Sequence, residues 1–276
     1  MTENKEKVTE NKDFDQKNLM RFFSIAFAFS WIIWGVAVVI TNFTDIDIPS
    51  AILGIIIIGA FGPSGAAVWL TYKNSGKEAA KKFLKRGVQI KIIPLWVWVA
   101  MFLVPAMAWA GAMFFISLNQ EVSFDFQALL FFLPMVIVMI LGGPLQEEYG
   151  WRGYALDRLQ KRWNALISSI ILAVIWSTWH LPLFFIAGSA QQSLNVGMFY
   201  ISELGISILM TWLHNNSKAS IFVALLFHSI INSMGDLFIL GDGGYNAYAI
   251  SQLAIAFVVV IIWGPKTLSR AKQAVL

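Results

Sequence analysis

The chain has 276 residues, of which 58% are hydrophobic and only 13% charged, with 22 Phe, 12 Trp and a mean hydropathy of +0.67. That balance belongs to a chain embedded in a membrane, not to a water-soluble core. Zero cysteines exclude a disulfide framework, thiol chemistry and any cysteine metal ligand, and a net charge of +4 is too small to imply nucleic acid as a partner.

Residues 1–19 are polar and of mixed charge, which predicts a solvated, disordered cytoplasmic tail. They lack the layout of a cleavable signal peptide, so the first span is expected to stay as an anchor. A span takes roughly 20 mostly apolar residues. Eight stretches qualify or nearly so, at about 20–41, 51–72, 93–118, 126–145, 164–187, 196–213, 219–235 and 247–264. The expectation is an all-α, polytopic membrane helical bundle of about eight transmembrane helices. Residues 20–264 would form one membrane-embedded domain, and 265–276 a second cytoplasmic tail.

In the second span Gly59, Gly62 and Gly65 fall at helical spacing, which favours close helix packing, and Pro63 is expected to bend that helix. The 73–92 segment is basic and partly amphipathic. It either lies on the inner membrane face, where anionic lipid attracts Lys and Arg, or is a loop whose charges only set topology. Trp96, Trp98 and Trp109 in the third span read as interface anchors and packing groups.

The connecting charge tests the span count, because cytoplasmic loops are enriched in Lys and Arg. Every one of the 20 Lys and Arg residues falls in the tails or in the segments after spans two, four and six, or at the mouth of span one. The other connections carry only acids: Asp45, Asp47, Glu121, Asp125, Asp236 and Asp242. Both termini are therefore expected in the cytoplasm.

The polar exception to this apolar chain is Gln146 to Arg152, at the end of the fourth stretch. Ionisable groups inside a membrane mark a functional site by default, and an interfacial helix cap with an ion pair is the plainer alternative. On a helix, Glu148 and Arg152 stand at i and i+4 and meet on one face, while Glu147 is turned about 100° away. Arg152 would then hold Glu148 and leave Glu147 to point elsewhere. Two of the three histidines lie inside spans, His180 four residues after Trp176 and His228 four before Asn232, so each pair shares a helix face. Each histidine alone reads as a helix-to-helix hydrogen-bonding group. Together with the two glutamates they are what a water-activating site needs: a carboxylate base, imidazoles for a metal or an oxyanion, and an amide to orient substrate. His214 reads as an ordinary interfacial residue, and Glu203 as a second buried acid without an assigned role.

Convergence of these groups poses a length problem. At about 1.5 Å per residue, His180 lies roughly 25 Å past Asn164 but His228 only about 14 Å past the start of its span. Gly142, Gly143 and Pro144 precede the glutamates and predict a helix break that turns them back into the bilayer.

Glu147-Glu148-x-x-x-Arg152, Trp176-x-x-x-His180 and His228-x-x-x-Asn232 resemble the EExxxR, FxxxH and HxxxN motifs of the CPBP intramembrane proteases, and they occur in that family's order. The family includes type II CaaX prenyl proteases, bacteriocin-processing enzymes and Abi-like proteins. The resemblance covers about Phe126 to Ser233. It departs at Trp176, where the family usually has Phe, a change expected to alter pocket shape more than chemistry. The resemblance implies an endopeptidase with its site in a cytoplasm-facing intramembrane cavity. Glu147 would activate water, Glu148 would support it while paired to Arg152, His180 and His228 would bind a metal or stabilise the oxyanion, and Asn232 would assist. A zinc site would use Glu147, His180 and His228, and a metal-free glutamate mechanism would use the same atoms. The HExxH helical zinc signature is absent.

The expected partners are membrane lipid and a peptide or protein substrate: a prenylated C-terminus, a bacteriocin-like peptide or a membrane protein. The short connections fit a prokaryotic cell membrane. A non-catalytic scaffold or bacteriocin-immunity protein of the same fold is the alternative. An ion transporter, which would show two similar halves with paired broken helices, is less well matched because the sequence has no such repeat.

Overall fold

A computed structural model describes residues 15–44, 49–118, 127–237 and 243–270. The described residues contain no strand, and each of the eight apolar stretches is helical. Helix α1 spans Gln16–Phe43, and its N-cap is Asp15, whose carboxylate accepts from the Asn18 backbone N–H at 3.0 Å. The helix therefore takes in residues 16–19 of the stretch expected to be a tail; residues 1–14 lie outside the described residues.

Helices α2 (Pro49–Ala60) and α3 (Gly62–Lys85) are parted at Phe61, just before Pro63, as the proline predicts. Close approach of α1 depends on two of the three glycines. A Cβ on Gly59 would strike the Trp34 indole, and one on Gly62 would strike Ser30 and the Ala26 carbonyl, whereas Gly65 has open space. In the room left, Ser30 Oγ donates to the Gly59 carbonyl at 2.7 Å and Trp34 Nε1 to that of Ile56 at 2.9 Å. Gly76, at φ +82°, breaks α3 again. Beyond it Ala80, Phe83 and Gly87 are buried while Lys77, Lys81, Lys82 and Lys85 are exposed, so the basic segment is amphipathic.

Helix α4 (Leu95–Ser117) is followed by α5 (Ala128–Leu141), which stops at Gly142. There the chain turns by 54° into a second helical stretch, Pro144–Leu159, made of α6 (Pro144–Gly150), a π-helical segment (Trp151–Leu156) and α7 (Asp157–Leu159). The remaining helices are α8 (Ala165–Trp179), α9 (Val196–Asn216), α10 (Ile221–Leu237) and α11 (Gly244–Trp263). Among the described residues six helical stretches are long and apolar enough to cross a membrane, or seven with the bent pair counted as one span; Ile221–Gly235 is shorter. Hydrophobic residues such as Leu130, Phe131, Ile137, Phe257 and Ile261 face outward, as a lipid-facing surface requires.

Inside this shell α9 packs between α8 and α11, while α6 lies against α3 and α10. The last described residues also dock: the Ala165 and Leu166 N–H groups at the start of α8 donate to the Lys266 and Pro265 carbonyls at 3.0 and 3.1 Å, and Leu268 is buried. The Pro265 and Lys266 carbonyls thus satisfy the first N–H groups of α8.

The glutamate helix is seated on α3 through Gly150. A Cβ at that position would come within 2.5–2.7 Å of Pro63, two of the three nearest atoms being backbone. Gly150→Ala is expected to destabilise the fold by about 1–3 kcal/mol, the usual cost of overpacking, read as a lower midpoint of thermal unfolding in detergent.

Candidate active site

The site begins at the break between α5 and α6. Gly143 holds φ +156° and ψ −64°, a backbone that L side chains rarely adopt. Gln146 fastens the turn, its Oε1 accepting from the Gly143 N–H at 3.1 Å and its own N–H donating to the Gly143 carbonyl at 2.9 Å. Ser64 on α3 donates to the Leu145 carbonyl at 2.9 Å. The predicted break therefore exists, and it carries the next turn into the protein interior, where Gln146, Glu147, Glu148 and Arg152 are all buried.

Glu148 and Arg152 meet as their spacing predicts. Arg152 Nη1 donates to both Glu148 oxygens, at 2.9 and 3.1 Å, with neither side chain exposed. The same Glu148 Oε1 lies 2.8 Å from His228 Nδ1, across from α10. Glu147 points to α8, where its Oε2 accepts from Trp176 Nε1 at 2.6 Å and stands 4.0 Å from His180 Nε2. His180 caps α8, just before Pro182, and its Nδ1 lies 2.9 Å from the Trp176 carbonyl. A carbonyl only accepts, so that Nδ1 carries the hydrogen, and in the neutral ring Nε2 is left as an acceptor. His228 follows the same logic: its Nδ1 donates to a carboxylate, and its Nε2 is the free atom. The Trp176 indole is the hub. Its ring lies 4.1 Å from the Arg152 guanidinium carbon and 5.3 Å from the His228 ring, while Trp179 and Phe199 flank His180 at 4.7 and 5.2 Å.

Asn232 is half-buried, and its amide nitrogen and Glu147 Oε1 both lie close to Gly143, 3.9 and 3.5 Å from where a Cβ would stand. Five of the six residues singled out from sequence are thus tied by direct contacts, and the sixth, Asn232, borders the same turn. They come from three separate parts of the chain: the α6 and π-helical stretch, α8 and α10.

Residues 128–234 match the family described as Rce1-like, type II CAAX prenyl endopeptidase. A protein of Methanococcus maripaludis named CAAX prenyl protease 2 is 32% identical over 192 residues, which are 64% of this chain and 70% of that relative. The chain belongs to the CPBP family of intramembrane proteases.

Within that family one feature of the site corrects a sequence-based expectation. Trp176 does more than reshape the pocket, because its indole N–H binds the Glu147 carboxylate, which no Phe can do. His214 also differs from expectation. It is buried, and its Nε2 lies 2.9 Å from Asp157, which also binds Arg86 at 2.8 Å. These three residues tie the end of the glutamate stretch to α9 and to the turn after α3. A periodic pattern carries no sign of this link, since its members are more than fifty residues apart. Gln146 and Gly143 are likewise structural parts of the site.

The donor atoms bear on the metal question. Glu147, Glu148 and His228 each offer a ligand atom within 4.8 Å of the others, but Glu148 is already engaged by Arg152 and His228. The donor atoms brought together are thus those of Glu147, Glu148 and His228; His180, expected from sequence to complete a zinc site with Glu147 and His228, stands 4.0 Å from Glu147 and is not part of that group.

Trp176→Phe keeps an aromatic ring beside Arg152 and the histidines but removes the donor to Glu147. Loss of a hydrogen bond to a charged group is worth about 1.5–3 kcal/mol. Peptide hydrolysis is therefore expected to fall at least about tenfold, and the thermal midpoint to drop by about 3 °C or more as the buried carboxylate loses its donor.

Proposed function

We propose that the protein is an intramembrane endopeptidase of the CaaX-protease type, in which Glu147 activates the attacking water near the cytoplasmic membrane face. The observation that carries this reading is the division between the two adjacent glutamates. Glu148 is bonded by both Arg152 and His228, whereas Glu147 is held only at Oε2, by Trp176, and stands 4.0 Å from the free Nε2 of His180. In the cycle this implies, Glu147 takes a proton from water as the water oxygen attacks the scissile carbonyl. The oxyanion is met by the Asn232 amide and by the His228 ring. As the C–N bond breaks, Glu147 returns the proton to the departing amine. His180, with Nδ1 fixed on the Trp176 carbonyl, offers Nε2 to hold the water. A zinc ion would be held by Glu147, Glu148 and His228 and would supply Lewis acidity at the carbonyl oxygen.

The distribution of Lys and Arg supports a cell-membrane topology with both termini cytoplasmic, one domain over residues 20–264 and its core motifs within 126–233. The name of the archaeal relative supports a prenylated C-terminal peptide as substrate, and an apolar lipid chain would travel within the bilayer to a site buried among membrane helices. The scaffold alternative retains the fold but needs neither free histidine donor.

The test is cleavage of a prenylated CaaX peptide, beside an unlipidated peptide library, by the purified protein. Glu147→Gln and His228→Ala are expected to lose activity by about 10²–10⁴-fold while remaining folded. Cleavage that survives both would remove these residues from catalysis and favour the scaffold. Chelator treatment separates the two chemistries: activity that disappears and returns with zinc requires the metal, and undiminished activity requires the glutamate alone.

A further inference from the structure

Glu203 lies outside the motifs, yet it borders the same site. Helices α8 and α9 run antiparallel, joined by the Phe199 and His180 rings at 5.2 Å, by Tyr200 and Thr178 hydroxyls at 2.9 Å, and by Ser207 Oγ donating to the Ser169 carbonyl at 3.0 Å. Glu203 is one turn after Phe199 and one before Ser207, so it occupies the face toward α8, near the level of Trp176. Its neighbour Ser202 turns the other way, to Gln252 on α11 at 2.9 Å. Glu203 is 7% exposed, and its Oε2 is sealed from solvent without a hydrogen-bond partner.

A complementary group is left open beside the same indole. Arg152 is 0% exposed and spends only Nη1 on Glu148, while its Nε and Nη2 have no partner. Arg152, Glu147 and Glu148 are the charged groups near enough to act on Glu203, whose carboxyl feels its burial more strongly than any of them. The π-helical segment that carries Arg152 packs directly on α9. A buried guanidinium with two idle donor atoms and a buried carboxyl with an idle oxygen are each costly alone, and one water shared between them would satisfy both.

We propose that Glu203 is the second counter-charge of Arg152, linked to it through buried water, and hence a positioning residue of the site. Glu148 must serve Arg152 and His228 at once; a second acceptor on the far side of the guanidinium keeps Arg152 from drawing Glu148 off His228. Only the kinetic part of this inference rests on the proteolytic reading.

The test uses the full chain in detergent. Glu203→Gln and the near-isosteric Glu203→Met are each made in the native and the Arg152→Gln backgrounds, and thermal midpoints are measured. Both are expected to lower the midpoint by about 3 °C or more in the native background and by less than half as much with Arg152→Gln. A midpoint that rises with Glu203→Met, as removal of a merely burdensome buried acid would give, overturns the proposal, and so do equal shifts in the two backgrounds. If Arg152→Gln does not fold, the sign of the native-background shift decides. In the cleavage assay Glu203→Gln is expected to lower kcat about tenfold with KM unchanged within twofold, and Glu203→Asp to recover part of the loss. An unchanged kcat overturns the positioning role. If the wild type cleaves no peptide, the proteolytic reading fails, while the thermal comparison still decides the Glu203–Arg152 link.

Discussion

The structure depends on keeping a carboxylate and a guanidinium paired where neither can reach water. Glu148 and Arg152 are both sealed from solvent and joined by two bonds from one nitrogen. Such a pair adds little net stability, because desolvating two charges offsets their attraction, but removing either partner leaves the other stranded at a cost of about 3–5 kcal/mol. What the pair supplies is direction. It fixes Glu148 so that one oxygen remains on His228 Nδ1, and it lets the neighbouring Glu147, a third of a turn around the helix, face Trp176 and His180. Two chemically identical side chains thus acquire different partners from their angular position alone.

That arrangement exists only because the backbone turns inward. A straight continuation of α5 would have carried the glutamates away from both histidines. The turn at Gly142 to Pro144 needs a glycine at the φ of Gly143, a proline that tolerates the first helical position, and Gln146 to satisfy the exposed peptide groups of the break. Its new direction is held by α3, where Gly150 lies against Pro63 and Tyr149 donates to the Leu84 carbonyl at 2.8 Å. Farther along, the Arg86, Asp157 and His214 network anchors the other end of the stretch. The first three spans carry none of the motif residues. They bear on the site mechanically, through the surface that α3 presents to α6.

A π-helical segment follows the glutamates, and Arg152 lies within it. Wider helical turns of this kind recur at functional sites. Here the segment still allows the i to i+4 contact with Glu148, so the pairing inferred from a regular helix survives a local departure from it.

The sequence by itself determined the membrane class, the all-helical architecture, the break before the glutamates and the Glu148–Arg152 pairing, while its eight apolar stretches correspond to six or seven membrane-length spans among the described residues. Each of these is a local property: hydropathy over a span, a Gly-Gly-Pro run, two residues four apart on one helix. It also ordered the three motifs whose residues meet in the fold. Only the tertiary structure decided that Trp176 donates to Glu147, that His228 leans on Glu148 while His180 leans on a backbone carbonyl, that His214 is a buried strut, and that residues 265–270 dock on the ends of α8 and α9. Those facts depend on how far each helix slides and rotates against its neighbours. Packing of side chains such as Trp34, Gly59, Pro63 and Gly150 sets that, and no periodicity within a single helix records it.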